Sequence, residues 1–199
     1  MSDDTLESRA LAELRGALTE SSVGHQANAL RHLELATAAS TGTDAYAEHR
    51  ALAFVHQWCF LIEQPPTDPA PLQELIGTPV SLRLSDGREL TTFAEISAWH
   101  DATAHAMDVT SHTIIGWKLS QPVSGRYDLA IDFAWQGISP TGQPMTARTH
   151  HEWSLNEDGT RLPRLASFVS SLLQPFAPAT ATDALADLCS CQGAAIDAP

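Results

Sequence analysis

Three histidines occupy positions from which an imidazole could move protons for a bound substrate: His100, His112 and His151. His112 and His151 lie in segments with the alternating pattern of β-strands, and His100 lies on an apolar helical stripe. Because imidazole titrates near neutral pH, one side chain can act first as a base and then as an acid. The chemistry indicated is a dehydration, an isomerisation or a cyclisation that needs no cofactor.

Each of these histidines also has a plainer interpretation, that of a core imidazole bonded to a backbone carbonyl. A metal site built from His100, His112 and His151 would require all three to converge, and only the number of histidines favours it. His150 and His151 point to opposite faces of a regular strand, so they could not share one ion. The sequence therefore predicts no metal ligand among them.

Aromatic side chains near these histidines could form the walls of a ligand pocket. The candidates are Phe93, Trp99, Trp117, Trp135 and Trp153. An indole or phenyl ring offers a flat apolar surface to a ring-shaped ligand. The competing interpretation is that most of these rings only fill the core. If they do form a pocket, the partner is a small hydrophobic or aromatic molecule.

The strands that carry these residues are clearest on either side of the turn at 139–142. Odd-numbered positions in 129–135 and 145–155 are mostly apolar or small, and even-numbered positions are mostly polar, which is typical of half-buried antiparallel strands. A hairpin centred near Thr141 fixes the register. It pairs Leu129 with Trp153, Ile131 with His151, and Asp132 with His150.

The even-numbered face of this hairpin collects charged side chains: Asp128, Asp132, Arg148, His150 and Glu152. One interpretation is an outer sheet surface that faces water or a second subunit. The other is an acid/base site. Charged alternate positions usually mark the wet face of a sheet, which favours the first interpretation.

The elements around the hairpin follow from apolar spacing and capping residues. Helices are predicted over 3–18, 24–38, from Thr43 or Asp44 to about Glu63, over 71–76, and from Thr91 or Thr92 along a stripe that reaches Ala104. Strands are predicted over 79–84, 108–119, 126–135, 145–155 and 162–169. Residues 177–199 are predicted to be loose, apart from a small helix near 183–188. Helices followed by an antiparallel sheet indicate an α+β class.

Composition limits the partners and the compartment. The net charge of −13 argues against nucleic acid and against an anionic membrane surface, and no apolar run is long enough to span a membrane. The acidic start of the chain does not resemble a signal peptide. Three cysteines are too few and too scattered for a disulfide framework or a zinc site, and Cys59 is predicted to be a buried thiol. A cytoplasmic location fits best.

Three segments resemble the cone-shaped nuclear transport factor 2-like superfamily. They are Trp99-His-Asp101 in the helix before the sheet, Thr110-Ser-His-Thr-Ile-Ile-Gly116 at the start of the long strands, and His150-His-Glu-Trp-Ser-Leu-Asn-Glu-Asp-Gly159 with Arg161-Leu-Pro-Arg-Leu165 in the penultimate hairpin. The resemblance covers roughly 44–173. Within the superfamily the sequence is most similar to the SnoaL-like group, which includes polyketide cyclases and shares its scaffold with scytalone dehydratase.

This resemblance implies an α+β cone, in which a strongly curved antiparallel sheet wraps the helices and leaves a pocket at its open end. It divides the chain into an N-terminal helical extension (1–40), a SnoaL-like cone domain (41–173) and a C-terminal tail (174–199). The Thr-x-His run of the dehydratase matches His112, whose counterpart helps to move a proton. The family's partner near the end of the long helix is typically Tyr or Asp, and here the only nearby acid is Glu63.

Epoxide hydrolase relatives in the superfamily use an Asp-Arg-Asp group instead. The resemblance allows such a set to be drawn here from Asp128, Asp132 and Arg148, which lie on the even-numbered face of the hairpin, opposite the apolar one.

Two functions from different classes therefore stay open. The first is a cofactor-free lyase, isomerase or cyclase that uses His112 with His100 or His151. The second is a non-catalytic module of the same fold that binds a ligand or a protein. An enzyme needs at least two titratable groups together in the pocket, whereas a binding module needs only apolar walls and one polar anchor. The resemblance also implies a homodimer formed through the outer face of the sheet.

Overall fold

A computed structural model describes residues 3–194 of the chain. Within that range five helices and six strands form a single α+β arrangement. In chain order they are α1 (Asp3–Ala38), α2 (Asp44–Glu63), α3 (Ala70–Leu75), β1 (Ile76–Arg83), β2 (Glu89–Leu90), α4 (Phe93–Ala104), β3 (Val109–Val123), β4 (Arg126–Ile138), β5 (Pro144–Asn156), β6 (Arg164–Pro178) and α5 (Ala181–Ala194). None of the helices in the described range is long and apolar enough to cross a membrane.

The six strands form one sheet in the order β2-β1-β6-β5-β4-β3. Every neighbouring pair is antiparallel except β1 with β6, which run parallel. Irregularities in the β3–β4 and β5–β6 pairing bend the long strands, as bulges do in curved sheets. The predicted hairpin register is confirmed: Leu129 pairs with Trp153, Ile131 with His151, and Asp132 with His150.

The two helices inside the cone begin where their capping residues predict. Thr43 caps α2 by accepting a hydrogen bond from the backbone N–H of Tyr46, and α2 ends at Glu63 before the Pro65-Pro66 break. Thr92 caps α4 in a complete capping box with Glu95. The apolar stripe of α2 packs against the odd-numbered face of β4 and β5, and α4 packs against α2 and β6. The main core lies between these two helices and the sheet.

The first half of α2 is fixed to the loop that joins β5 and β6. Arg50 is buried and donates two hydrogen bonds of 2.8 Å to the carboxylate of Glu157. The hydroxyl of Tyr127 donates to the same carboxylate. Because this pair holds one end of the helix against the sheet, the position of Glu63 at the other end is well defined.

The two predicted helices at the start of the chain are wrong as separate elements, because α1 runs without a break from Asp3 to Ala38. The interval between them contains Ser21, Ser22 and Gly24, which are weak helix formers. Packing overrides that local preference: Ser22 is fully buried, and Ser21 and Ser111 of β3 are joined by a 2.7 Å hydrogen bond between their hydroxyl groups. Helix α1 lies along α2 and along β3, which is an edge strand of the sheet.

The end of the chain is more ordered than predicted. The last strand reaches Pro178 rather than Val169, and α5 runs from Ala181 to Ala194 rather than over a single turn or two. Helix α5 forms a second, smaller core with the first half of α1 and the end of β4, in which the buried residues are Leu14, Leu18, Ile138, Ala181, Ala184 and Leu188. The carboxylate of Glu7 also accepts the backbone N–H of Ala181. Residues 195–199 lie outside the described part of the chain.

Candidate functional site

A cavity of about 380 Å³ opens at the end of the cone where α2 terminates. Its walls come from α2, α4, the turn after β1 and the inner faces of β3 to β6. Most of the lining is aromatic or aliphatic: Trp58, Ile62, Leu84, Trp99, Met107, Phe133, Trp135, Phe168, Leu172 and Phe176. The rim includes Leu172 and Phe176, which are half exposed. The volume is within the range of sites that bind small organic molecules.

Two histidines line this apolar cavity, His112 from β3 and His151 from β5. Both rings contact Phe133 of the strand between them, with ring centroids 5.9 Å and 5.0 Å from the phenyl ring. The shared neighbour places the two imidazoles on the same wall. The structure therefore brings together two of the three histidines that the sequence singles out.

Glu63, the last residue of α2, holds His112 by two atoms. Its Oε1 accepts the backbone N–H of His112 at 2.6 Å and lies 3.0 Å from Nδ1 of the same residue. The Glu63 side chain is completely buried, and its second oxygen, Oε2, has no hydrogen-bond partner in the described chain. A buried carboxyl group is costly unless it is paired, so this contact must account for much of its stabilisation.

The two contacts assign the protons on the His112 ring. Oε1 of Glu63 is already an acceptor for the backbone N–H, so we assign the ring proton to Nδ1, which donates to the same oxygen. In the neutral ring the other nitrogen, Nε2, then carries a lone pair. Among the residues described, Nε2 has no hydrogen-bond partner, and the ring lines the cavity. This is the arrangement of a general base whose orientation a carboxylate maintains.

Among the described residues His151 has no polar neighbour that binds it, and in this it differs from His112. Burial lowers the pKa of His151 to about 3, with smaller contributions in the same direction from His112 and His150. Its Nδ1 has no partner within the described range, and neither has Oγ1 of Thr149, two residues earlier on the same cavity wall. Buried polar atoms normally have partners, so these two mark an unsatisfied polar position in a mostly apolar lining.

His100 does not reach the cavity wall. It is buried against Trp58, edge to face, at 6.2 Å between ring centroids, and burial lowers its pKa to about 4. It is therefore separated from His112 and His151, which also breaks up the three-histidine set considered for a metal. Within residues 3–194 no group of three His, Cys, Asp or Glu side chains is placed to hold a metal ion.

The predicted aromatic residues divide into two groups. Trp99 and Trp135 line the cavity, and Phe176 packs edge-on against Trp135 at 4.7 Å. Trp153 is instead a member of the buried core, and Phe93 and Trp117 pack against that core. Sequence reasoning missed Trp58 of α2, which lines the cavity. Its place three residues after Val55 and four before Ile62, on the apolar stripe of the helix, could have indicated it.

Sequence reasoning also left Glu63 without a role. The residue ends the predicted helix and is the only acid near the position where the family resemblance implies a proton-transfer partner. That position was a usable signal, because the structure joins this carboxyl group to His112, 49 residues later.

The charged residues of the even-numbered face do not converge. Asp128 bonds to Arg126 and Ser154, and Asp132 bonds to His150 at 2.6 Å. Arg148 pairs with Asp187 of α5, which also accepts a hydrogen bond from Gln136. The Asp-Arg-Asp set is thus divided among three separate contacts, and α5 covers part of this face.

No protein-family model matches the sequence, and no curated protein matches it either. Solved structures do match. A scytalone dehydratase-like protein from Novosphingobium aromaticivorans has a TM-score of 0.61 at 6% identity, over 70% of this chain and 92% of that one. The hexachlorocyclohexane dehydrochlorinase LinA-type3 from Novosphingobium barchaimii has a TM-score of 0.56 at 7% identity, over 67% and 90% of the two chains.

A nuclear transport factor 2-like superfamily protein from Salmonella enterica has a TM-score of 0.52 at 10% identity, over 60% of this chain and 85% of that one. At such low identities the similarity shows the fold alone. The chain has the SnoaL-like, nuclear transport factor 2-like cone fold, and this confirms the fold that the sequence resemblance implies.

Proposed function

We propose that this protein binds a small hydrophobic or aromatic molecule in the cavity and acts on it as a cofactor-free lyase, isomerase or cyclase. The observation that carries the proposal is the contact between Glu63 and His112 at the wall of an apolar cavity. The contact leaves Nε2 of an oriented imidazole for the substrate. His112 is the catalytic residue of this proposal, and Glu63 is its positioning partner.

The proposed reaction begins with proton transfer from a carbon of the substrate to Nε2 of His112. The C–H electron pair becomes a double bond or an enolate, and the imidazolium that forms is stabilised by the Glu63 carboxyl group at Nδ1–H. His112 then returns the proton, either to a departing hydroxyl group or to another carbon. The first outcome is elimination and the second is isomerisation, and in both cases His112 ends in its starting state.

His151 supplies the polar contact in this proposal. Because burial keeps the pKa of His151 at about 3, the ring is neutral at pH 7 and does not carry the proton itself. A neutral imidazole that lines the cavity can still hydrogen-bond to a substrate oxygen. The expected substrate therefore has a ring that fits the aromatic walls and a carbonyl or hydroxyl group that reaches β5.

The similarity to solved structures agrees with this class of chemistry without proving it. Two of the matching proteins bear names of enzymes that remove water or hydrogen chloride from their substrates, a dehydratase and a dehydrochlorinase. The activity belongs to those proteins. What supports its transfer to this chain is that a base, His112, lines its own cavity and is bound from behind by a buried carboxyl group, that of Glu63.

A deuterium-exchange assay tests the proposal without knowledge of the natural substrate. A panel of cyclic ketones that carry a hydroxyl or halide group β to the carbonyl is incubated in D₂O, and proton NMR follows exchange and elimination. We expect activity that His112→Ala lowers by at least about a hundredfold, with a smaller loss in Glu63→Gln. His105→Ala is the matched control, because His105 is exposed at the end of α4. Equal rates in wild type and His112→Ala would contradict the proposal.

The alternative function is a ligand-binding module without catalysis. The neutral state of His151 and the mostly apolar lining favour it, since a binding site needs only apolar walls and one polar anchor. Quenching of the fluorescence of Trp58, Trp99 and Trp135 would report binding. The alternative would be established by a compound that quenches this fluorescence but whose C–H groups exchange no faster with the wild type than with His112→Ala.

The homodimer and the cytoplasmic location stay predictions. A dimer would use the part of the outer sheet face that α5 leaves uncovered, around Asp132, His150 and Glu152. Side chains there are one-third to two-thirds exposed in the single chain, so a partner could cover them. Sedimentation velocity at several concentrations would measure the mass, and a single monomeric species would exclude this arrangement.

A further inference from the structure

His25, a histidine that does not line the cavity, contacts both His112 and Glu63. His25 lies on α1 and is 6% exposed. Its Nε2 is 2.8 Å from the backbone oxygen of His112 and 3.5 Å from Oε1 of Glu63. Its Nδ1 is 2.8 Å from Nδ1 of His56 on α2. The ring of His25 therefore lies where α1, α2 and β3 meet, directly behind His112.

The protons on His25 follow from its partners. A backbone carbonyl only accepts, so Nε2 of His25 carries a proton and donates it to His112. In a neutral ring Nδ1 is then an acceptor, and it receives the Nδ1–H of His56. Burial lowers the pKa of His25 and outweighs the opposing effect of Glu63. The lowered pKa keeps the ring of His25 neutral at pH 7. A neutral His25 does not compete with a protonated His112 for the Glu63 charge.

His112 needs this support because β3 is an edge strand. Alternate residues of an antiparallel edge strand turn both the N–H and the C=O away from the sheet, where no further strand receives them. At His112 the N–H donates to Glu63 and the C=O accepts from His25. The main chain that carries the imidazole is thus held from two helices, in the place where a neighbouring strand would otherwise hold it.

We propose that His25 is a positioning residue for the proposed catalytic His112, so that α1 forms part of the active site. His25 fixes the His112 carbonyl and, through it, the contact between Nδ1 of His112 and Glu63. This inference rests on the proposed function for its catalytic consequence, but the geometry that it requires can be tested without a substrate. The groups that face His25 are Glu63 and His56 of α2 and His112 of β3.

The same two helices provide a matched control. His32 of α1 and His49 of α2 form a second contact, with their Nδ1 atoms 3.2 Å apart. His32 also stacks on His56, at 5.6 Å between ring centroids. No contact of His32 with Glu63 or His112 occurs in the described chain, so His32→Leu removes a similar imidazole from the helix interface while the support behind His112 stays in place.

The experiment is ¹⁵N NMR of the histidine rings in the full-length protein, which distinguishes the two neutral tautomers. In the wild type we expect a proton on Nδ1 of His112 and on Nε2 of His25. His25→Leu should mix the two neutral tautomers of His112, because the contact with Glu63 loosens. His25→Gln, which retains an N–H donor near the position of Nε2, should restore the single tautomer, and His32→Leu should leave it unchanged.

Two results would overturn the inference. One is a wild-type His25 that lacks a proton on Nε2, which needs no variant and so does not depend on whether His25→Leu folds. The other is a folded His25→Leu in which the tautomer of His112 is unchanged. Once a substrate is found, we expect His25→Leu to lower kcat by about tenfold with little change in KM.

Failure of this inference can be distinguished from failure of the proposed function. If His112→Ala abolishes exchange and His25→Leu leaves both kcat and the His112 tautomer unchanged, the role of His25 alone is disproved. If His25→Leu alters the His112 tautomer but the exchange rate of His112→Ala equals that of the wild type, the positioning role of His25 is established and proton-transfer catalysis by His112 is disproved.

Discussion

His150 and His151 are adjacent on β5, yet they lie in opposite environments. His150 faces outward, has about a third of its side chain exposed, and binds Asp132 at 2.6 Å. His151 faces inward, is surrounded by Phe133, Trp153 and Phe168, and has no partner for its Nδ1 among the described residues. Alternation along a strand places identical side chains on opposite faces one residue apart.

The difference shows that the face of the sheet, more than the residue type, decides what an imidazole can do here. On the outer face a histidine with a nearby carboxylate forms a surface pair of modest energy. On the inner face an imidazole that is buried without a partner costs free energy, and such positions are frequently functional. The cost of an unpartnered polar atom next to an apolar cavity is the reason to place ligand contacts at His151 rather than at His150.

The largest expected difference between the faces is in packing. Trp153 is 2% exposed and contacts Phe54, Trp58 and Phe168. Trp153→Ala should lower the free energy of unfolding by about 3–5 kcal/mol, because it removes buried surface and leaves a cavity. Glu152→Ala on the opposite face should change it by less than about 0.5 kcal/mol. Urea denaturation measures both, and a similar cost at the two positions would contradict the division into faces.

The next difference is in the response to pH. The folded-state pKa of His151, at about 3, lies below the usual value of 6.5, so in acid the unfolded chain binds a proton that the folded chain does not. The free energy of unfolding should therefore fall as pH falls from about 6.5 towards 3, and this histidine contributes up to about 1.4 kcal/mol per pH unit within that window. His151→Leu should flatten the decline by about that amount.

Urea denaturation at pH 7 and pH 5 tests this, with Thr149→Val as the control. Thr149 lies on the same strand and the same cavity wall but does not titrate, so its replacement should shift the stability at both pH values equally. His25, His32, His56 and His100 also have lowered pKa values and add to the total slope. An unchanged slope in His151→Leu would mean that water reaches this imidazole.

The features that could be predicted from the sequence are those with a local physical cause. The register of β4 and β5 follows from alternation about one turn, and the starts of α2 and α4 follow from Thr43 and Thr92, whose side chains accept backbone N–H groups. The position of His151 on the inner wall follows from the same alternation. The face that His112 uses does not, because bulges of the kind found between β3 and β4 can turn a strand over. These inferences need only neighbours in sequence or one hairpin.

The features that could not be predicted depend on contacts between distant segments. Glu63 appears in the sequence as a polar helix end, and nothing local shows that it is buried beneath a histidine 49 residues later. The continuity of α1 through Ser22 and Gly24 depends on its packing against α2 and β3, and so does the approach of His25. Polar groups that satisfy one another inside a protein leave no periodic pattern, so propensity and spacing cannot reveal them.

The smallest expected effect concerns the outer-face pair itself. A double-mutant cycle on Asp132 and His150, with alanine at each position, should give a coupling energy of about 0.2–1 kcal/mol, because both side chains are partly exposed and solvent screens them. The coupling should decrease in high salt.

A coupling above about 2 kcal/mol that rises with protein concentration would contradict the picture of a solvated pair. It would mean that a second copy of the chain covers this face and takes both groups out of water. Asp132 and His150 would then be as buried as His151, so the two faces would no longer differ in burial. They would differ only in what their side chains bind. The outer pair would set the register between two subunits, and the inner histidine would contact a ligand.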